Sequence, residues 1–278
     1  KKVNKKPSAS KVKKIERFFS KKYKSKFAIL MPSGRSAINQ ILINNGINRS
    51  KIINVPLWTS TCLLHALTAI TNVSVRNKKA DGFIIVHKWG ITYNIDKNII
   101  SSKKLIIDDS ADCFPRNFYK PFVNNTKFEI LSLPKLIGTF TGGIILTKDK
   151  KLYSLLKKRQ FQNDKIAKTQ SLRKYFSAFK DKENFDWRFY ESLNYSIDHN
   201  TVENVYNCLP NYELNQKTLT RRENLLKKYF KKKIISDEKR QGPCVIFDYK
   251  NNENFKKILE IKHLDDNKIG SFFLFYSK

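Results

Sequence analysis

The chain has 278 residues, 40% of them hydrophobic, so it can bury a sizeable core and is not disordered; length alone allows one large domain, or a large one with a small companion. Its formal charge of +31 comes from 55 Lys and Arg against 24 Asp and Glu. That excess is mostly lysine spread from Lys1 to Lys278, with no RNA-recognition, zinc-finger or helix-turn-helix signature, and it reads as a solvated face rather than a nucleic-acid site. Four scattered cysteines, Cys62, Cys113, Cys208 and Cys244, without a Cys-x-x-Cys pair, argue against a disulfide framework or a metal site. No apolar run approaches the length of a membrane span, and Lys1 to Lys14 is basic with no apolar stretch after it, unlike a secretory signal. The expected location is the cytoplasm.

Periodicity lays out the first half as strands alternating with helices. Phe27 to Met31 reads as a buried strand, Pro32 to Arg35 as its turn, and Ser36 to Asn45 as a helix with Ile38, Ile41 and Leu42 on one face. Short strands come next at Ile52 to Val55, Phe83 to Val86, Leu105 to Asp108, Ile130 to Leu133 and Gly143 to Leu146, with a helix over Ser60 to Ile70. Many are too apolar to leave one face in water, which predicts a mainly parallel α/β sheet. After Thr147 come a basic helix, Asp149 to Gln160, a polar stretch, a helix containing Arg221 to Leu226, a strand from Cys244 to Phe247 and a helix near Glu253 to Ile261. This predicts a large domain over residues 1–165 and a small α+β domain over 166–278.

Three short segments carry chemistry. In Ser33-Gly34-Arg35-Ser36-Ala37 the glycine lets backbone approach an anion, and the amides of a helix start favour phosphate. Many such turns bind nothing. Asp108 and Asp109 end an apolar strand at the edge where open parallel sheets bind ligands. A carboxylate there can pair with a protonated pyridine nitrogen or simply cap a loop; Asp109 is the better candidate by spacing. Lys135 comes after Ile130 to Pro134, so an apolar strand delivers an amine to the same edge. A lysine that bonds an aldehyde needs its pKa lowered by desolvation, whereas most lysines in so basic a chain are surface charges. The Ser132-Leu133-Pro134-Lys135 spacing also fits penicillin-binding enzymes, but the chain has neither Ser-Asp-Asn nor Lys-Thr-Gly after it. Together the three segments are the parts needed to hold a phosphorylated aldehyde cofactor, pyridoxal 5'-phosphate (PLP).

With Val55-Pro56-Leu57-Trp58-Thr59, His87-Lys88-Trp89-Gly90 and Gly142-Gly143 in the same order, the chain resembles the DegT/DnrJ/EryC1/StrS sugar aminotransferases, which are fold type I PLP enzymes. The resemblance implies the seven-stranded sheet of that fold's large domain. It also implies that Gly34, Arg35 and Ser36 hold the phosphate, Asp109 pairs with the pyridine nitrogen, Ser132 assists near the phosphate, and Lys135 is the Schiff-base lysine and proton shuttle. Trp58 is either a cover for the cofactor ring or an ordinary core aromatic, and His87 is structural. Asn194-Tyr195 resembles a segment whose asparagine reaches the phosphate of a neighbouring subunit, which implies a homodimer. The implied reaction takes an amino group from a donor such as glutamate and gives it to a keto-sugar linked to a nucleotide, in amino-sugar or surface polysaccharide biosynthesis.

The departures lie on the substrate side. The segment between Ile70 and Gly82 is short, Ser196 stands where an arginine is expected, and the C-terminal end is abbreviated. Two other readings therefore stand beside the aminotransferase. One is a non-catalytic homologue that binds the cofactor or a sugar nucleotide; the other is a basic nucleic-acid-binding protein. A sugar dehydratase on the same scaffold fits less well, because the resemblance would then imply histidine in place of Lys135.

Overall fold

Short apolar runs bounded by turn residues become the strands of one seven-stranded sheet. The computed structural model describes residues 6–57, 59–75, 77, 79–95, 104–162, 193–230, 234–243, 246–248 and 274–276. In chain order the sheet uses β1 (Phe27–Met31), β2 (Ile52–Val55), β3 (Asn72–Val75), β4 (Gly82–Val86), β5 (Leu105–Asp109), β7 (Phe128–Ser132) and β8 (Gly143–Thr147). The spatial order is β1-β8-β7-β5-β4-β2-β3. Only β8 runs against its two neighbours; the other pairings are parallel. The mainly parallel α/β sheet expected from the sequence is therefore present, and β3 adds a strand that the polar Asn72-Val73-Ser74-Val75 pattern did not announce.

Alternate residues of the strands feed two cores. One face holds Ile29, Met31, Ile107, Ile130 and Ile145 under α2 (Gly34–Asn44), α3 (Thr61–Thr68) and α5 (Lys150–Arg159). The other holds Leu30, Leu131, Ile144 and Leu146 under α1 (Ala9–Lys22), α6 (His199–Cys208) and the start of α7 (Asn211–Phe230). A short helix, α4 (Leu133–Ile137), begins directly after β7 and ends at Gly138 in the left-handed region, φ 71°.

Helix α1 lies in a segment that reads only as basic in the sequence. Val12, Ile15 and Phe19 recur at helical spacing and are buried, Ser8 accepts from the Lys11 amide as N-cap, and the lysines fill the outer face. Its buried Glu16 reaches the outer side of β1, where it accepts the Leu30 amide at 3.0 Å, while Gln160 Nε2 donates to the Leu30 carbonyl at 2.9 Å. This edge of the sheet is thus covered at its middle.

The expected domain border near residue 165 falls outside the described residues. Past it, the chain is at first continuous with the core of the sheet, because Ile197, Val202, Val205 and Tyr212 belong to the same cluster as α1. Further along, β10 (Arg240–Gln241) pairs antiparallel with β6 (Phe114–Pro115), and β9 (Ile234–Ile235), β11 (Ile246–Asp248) and β12 (Leu274–Tyr276) form a small mixed sheet. The helix expected over Glu253 to Ile261 lies outside the described residues.

Candidate active site

The C-terminal ends of β5 and β7 and the start of α2 meet at one edge. Pro32 and Ser33 leave β1 and touch Gly142, whose amide donates to the Pro32 carbonyl at 2.8 Å. Gly143 is required here, since a Cβ on it would lie 2.4 Å from the Ser33 carbonyl carbon. Ser33 Oγ then accepts the Ser36 amide at 3.1 Å and caps α2, whose first turn contains no acidic residue. A Cβ on Gly34 would meet nothing closer than 3.6 Å, with Ser132 Cβ at 3.8 Å. A Cβ there would make only ordinary contacts, so what singles Gly34 out is its place at a helix terminus that favours anions.

The paired aspartates separate by strand alternation. Asp108 is fully buried and accepts from Asn124 Nδ2 at 2.8 Å and Thr126 Oγ1 at 2.9 Å, with His87 Nε2 at 3.2 Å from its Oδ1. Burial would raise its pKa, but His87, Asn124 and Thr126 hold it below the usual carboxylate value. His87 Nδ1 accepts the Tyr93 amide at 3.0 Å, which leaves Nε2 to face Asp108 as the N–H, and the ring is structural.

Asp109 points to the α2 face. Among the described residues its Oδ1 accepts only the Ala111 amide, at 3.0 Å, and burial pushes the carboxyl up to about 6 against the opposing pull of Lys135 and that amide. A buried carboxylate so poorly compensated is suited to a cationic partner. The nitrogen of a protonated pyridine is one, so the donor set fits PLP.

Lys135 sits on α4, with Nζ 3.7 Å from Asp112 Oδ2 and a side chain 54% exposed. The sequence expectation of a lowered lysine pKa is corrected here. Burial does pull it down, but Asp112 and then Asp109 outweigh burial and leave it above the usual lysine value. Asp112 is the residue the sequence reading missed; its signal was a third acid three positions past Asp109 in the same run.

The remaining candidates divide. Gly34, Arg35, Ser132, Asp109 and Lys135 gather at this edge, and Ser132 Oγ makes no cap bond to α4. Ser36 is fully buried; its hydroxyl donates to the Asn194 carbonyl and its amide to Ser33 Oγ, so both of its donors are engaged within the chain. Asn194 lies beside the α2 start of its own chain, and its side chain is engaged locally, donating to the Ser196 carbonyl and accepting the Ser196 amide at 3.0 Å. In this arrangement the asparagine serves its own loop. Trp58 lies outside the described residues. Among the described residues no cluster of three or more His, Cys, Asp or Glu could hold a metal, and no helix is long and apolar enough to cross a membrane.

A family model described as "Putative PLP-dependent aminotransferase" matches residues 15–264. A comparison with curated proteins finds no match. Among solved structures the chain is similar to the "Putative sugar aminotransferase Spr1654 from Streptococcus pneumoniae" in its apo form, at 14% identity and TM-score 0.61, over 94% of this chain and 75% of that one. It is similar to a DegT DnrJ EryC1 StrS aminotransferase from Brucella abortus at 14% identity and TM-score 0.60, over 86% of this chain and 69% of that one. A mutant of GDP-4-keto-6-deoxymannose-3-dehydratase (ColD) with bound GDP-perosamine is similar at 13% identity and TM-score 0.61, over 98% and 85%. At these identities the likeness is one of fold.

Proposed function

The chain belongs to the family of PLP-dependent aminotransferases, and on that premise we propose that it passes an amino group from an amino-acid donor to a keto-sugar carried on a nucleotide, as a homodimer, in the making of an amino sugar for a surface polysaccharide. The observation that carries the reading is the convergence of Asp109, Lys135 and the open start of α2 on one sheet edge. The sugar comes from the solved structures of like fold, which include a putative sugar aminotransferase and a nucleotide-sugar dehydratase. Lys135, a lysine and not a histidine, favours amino transfer over dehydration within that resemblance.

The residues divide the labour. The amides of Gly34 and Arg35 would hold a phosphate, with Ser132 alongside, while the Ser36 amide stays with the Ser33 cap. Asp109 keeps a proton on a ring nitrogen, which relieves its own uncompensated burial. Lys135 Nζ would bond the cofactor's aldehyde and, as a free amine, would take up and give back the proton at the reacting carbon. When bound, PLP supplies the aldehyde that holds the amino group and the ring that draws electrons from the reacting carbon. The +31 charge suits a pyrophosphate-bearing substrate.

The test is the visible spectrum of the protein with added PLP, before and after borohydride, beside Lys135→Ala. A band that reduction fixes to the Lys135 peptide, absent in the variant, is the expected result. No band in either protein would overturn the reading. With the band in hand, loss of absorbance on adding glutamate and its recovery on adding a nucleotide-linked keto-sugar identify the two half-reactions.

A further inference from the structure

Asp112, three residues beyond Asp109, is the group the structure sets against the reactive amine. We propose that Asp112 is a positioning residue for Lys135: its carboxylate holds the free lysine ammonium at the sheet edge whenever the amine is not bonded to the cofactor. The inference rests on the assignment of Lys135 as the cofactor lysine.

Three observations carry it. Asp112 Oδ2 lies 3.7 Å from Lys135 Nζ, within ion-pair range, and its side chain is only 19% exposed. The two residues are mounted on one rigid piece. The Ser132 amide donates to the Ala111 carbonyl at 2.9 Å, the Ser110 amide to the Ile130 carbonyl at 3.0 Å and the Cys113 amide to the Ser110 carbonyl at 3.1 Å, so the turn after β5 is laced to the end of β7 from which α4 starts. The backbone that carries the carboxylate and the backbone that carries the amine are thus held together by main-chain bonds.

The electrostatics agree. The groups facing Lys135 are Asp112 and Asp109 from the β5 side, Cys62 from α3, and Cys113; burial lowers the lysine pKa and these raise it, Asp112 most of all. Asp109 is the less available partner, because it is buried, bonded to the Ala111 amide and placed to serve the cofactor nitrogen. The two acids therefore divide the work. Asp109 answers to the ring, and Asp112 answers to the lysine, favouring its ammonium form while no aldehyde is bonded to it.

The experiment uses the full chain without cofactor. Acetic anhydride modifies neutral amines, and peptide masses report the rate at Lys135 against Lys150 as an internal reference, across a pH series. In Asp112→Asn, Lys135 should react roughly three- to fivefold faster than in the unmodified protein at about pH 8, because losing a half-exposed ion pair frees neutral amine at lower pH. Asp112→Glu should restore the slower rate. Asp112→Ser, which also removes the charge, is the second variant should the asparagine not fold. Equal Lys135 rates in all folded proteins would overturn the inference. Borohydride capture of PLP at Lys135, run in parallel, separates the two ideas: no capture with the acetylation difference intact sinks the functional reading, and capture with no difference sinks the role of Asp112.

Discussion

The neighbourhoods of Asp108 and Asp109 adjoin on one strand and are built on opposite terms. Behind the sheet, the Asp108 side is closed. Beside it, Glu129 accepts from Ser110 at 2.5 Å, Tyr119 at 2.9 Å and the fully buried Arg240 at 3.0 Å, and Arg240 Nη1 donates to Thr92 at 3.2 Å. Every charge there has an answer within the chain. In front, the α2 side leaves Asp109 with one amide, Lys135 half exposed and the start of α2 without an acid. A fold that pairs its charges so closely at the back and so sparingly at the front supports the proposal that a ligand supplies the missing partners at the front.

That contrast can be broken experimentally, beginning at the back. Arg240→Ala strands Glu129 in the core and should cost about 3–5 kcal/mol in denaturant unfolding, whereas replacing both partners by apolar residues should cost less. If the single variant lost under about 1 kcal/mol, the back would not be the closed structure described.

Asp109→Asn should act in the opposite direction. Asp109 binds its proton more tightly in the folded chain, about 6 against 3.8, so its ionisation removes stability as pH rises through that window. The cofactor-free variant should therefore be more stable than the parent at pH 7, by about 1–3 kcal/mol, with the gain vanishing below about pH 4. It should also bind PLP more weakly, and a variant less stable at every pH would remove the contrast.

Ser33→Ala should lose about 1 kcal/mol through the missing α2 cap, seen as a lower Tm, and weaken phosphate binding at the same turn. Lys51→Ala, at the half-exposed pair with Asp81, should change unfolding by less than about 0.5 kcal/mol and serves as the surface control.

What could be read from the sequence was local. The glycine turn, the acid at the end of β5 and the lysine after β7 each declare themselves within a few residues, and strand-to-helix order does the rest. The choice between Asp108 and Asp109 became physical only when Asn124 and Thr126, far along the chain, were seen to occupy the former. Arg240 could not be singled out among 55 cations, because its burial depends on β6 pairing with a strand far along the chain. Helix α1 was hidden by its lysines, and Asp112 by the two more conspicuous acids before it.

The cover on β1 has a consequence for how copies of this chain can join. With the Leu30 amide and carbonyl already occupied by Glu16 and Gln160, a foreign strand cannot add on that side without evicting both. The opposite margin, β3, has no such cover among the described residues. A sheet with one blunt side is monovalent for strand addition: it can pair once, margin to margin, and then has nowhere left to grow, so such growth stops at two copies rather than running on into a fibre.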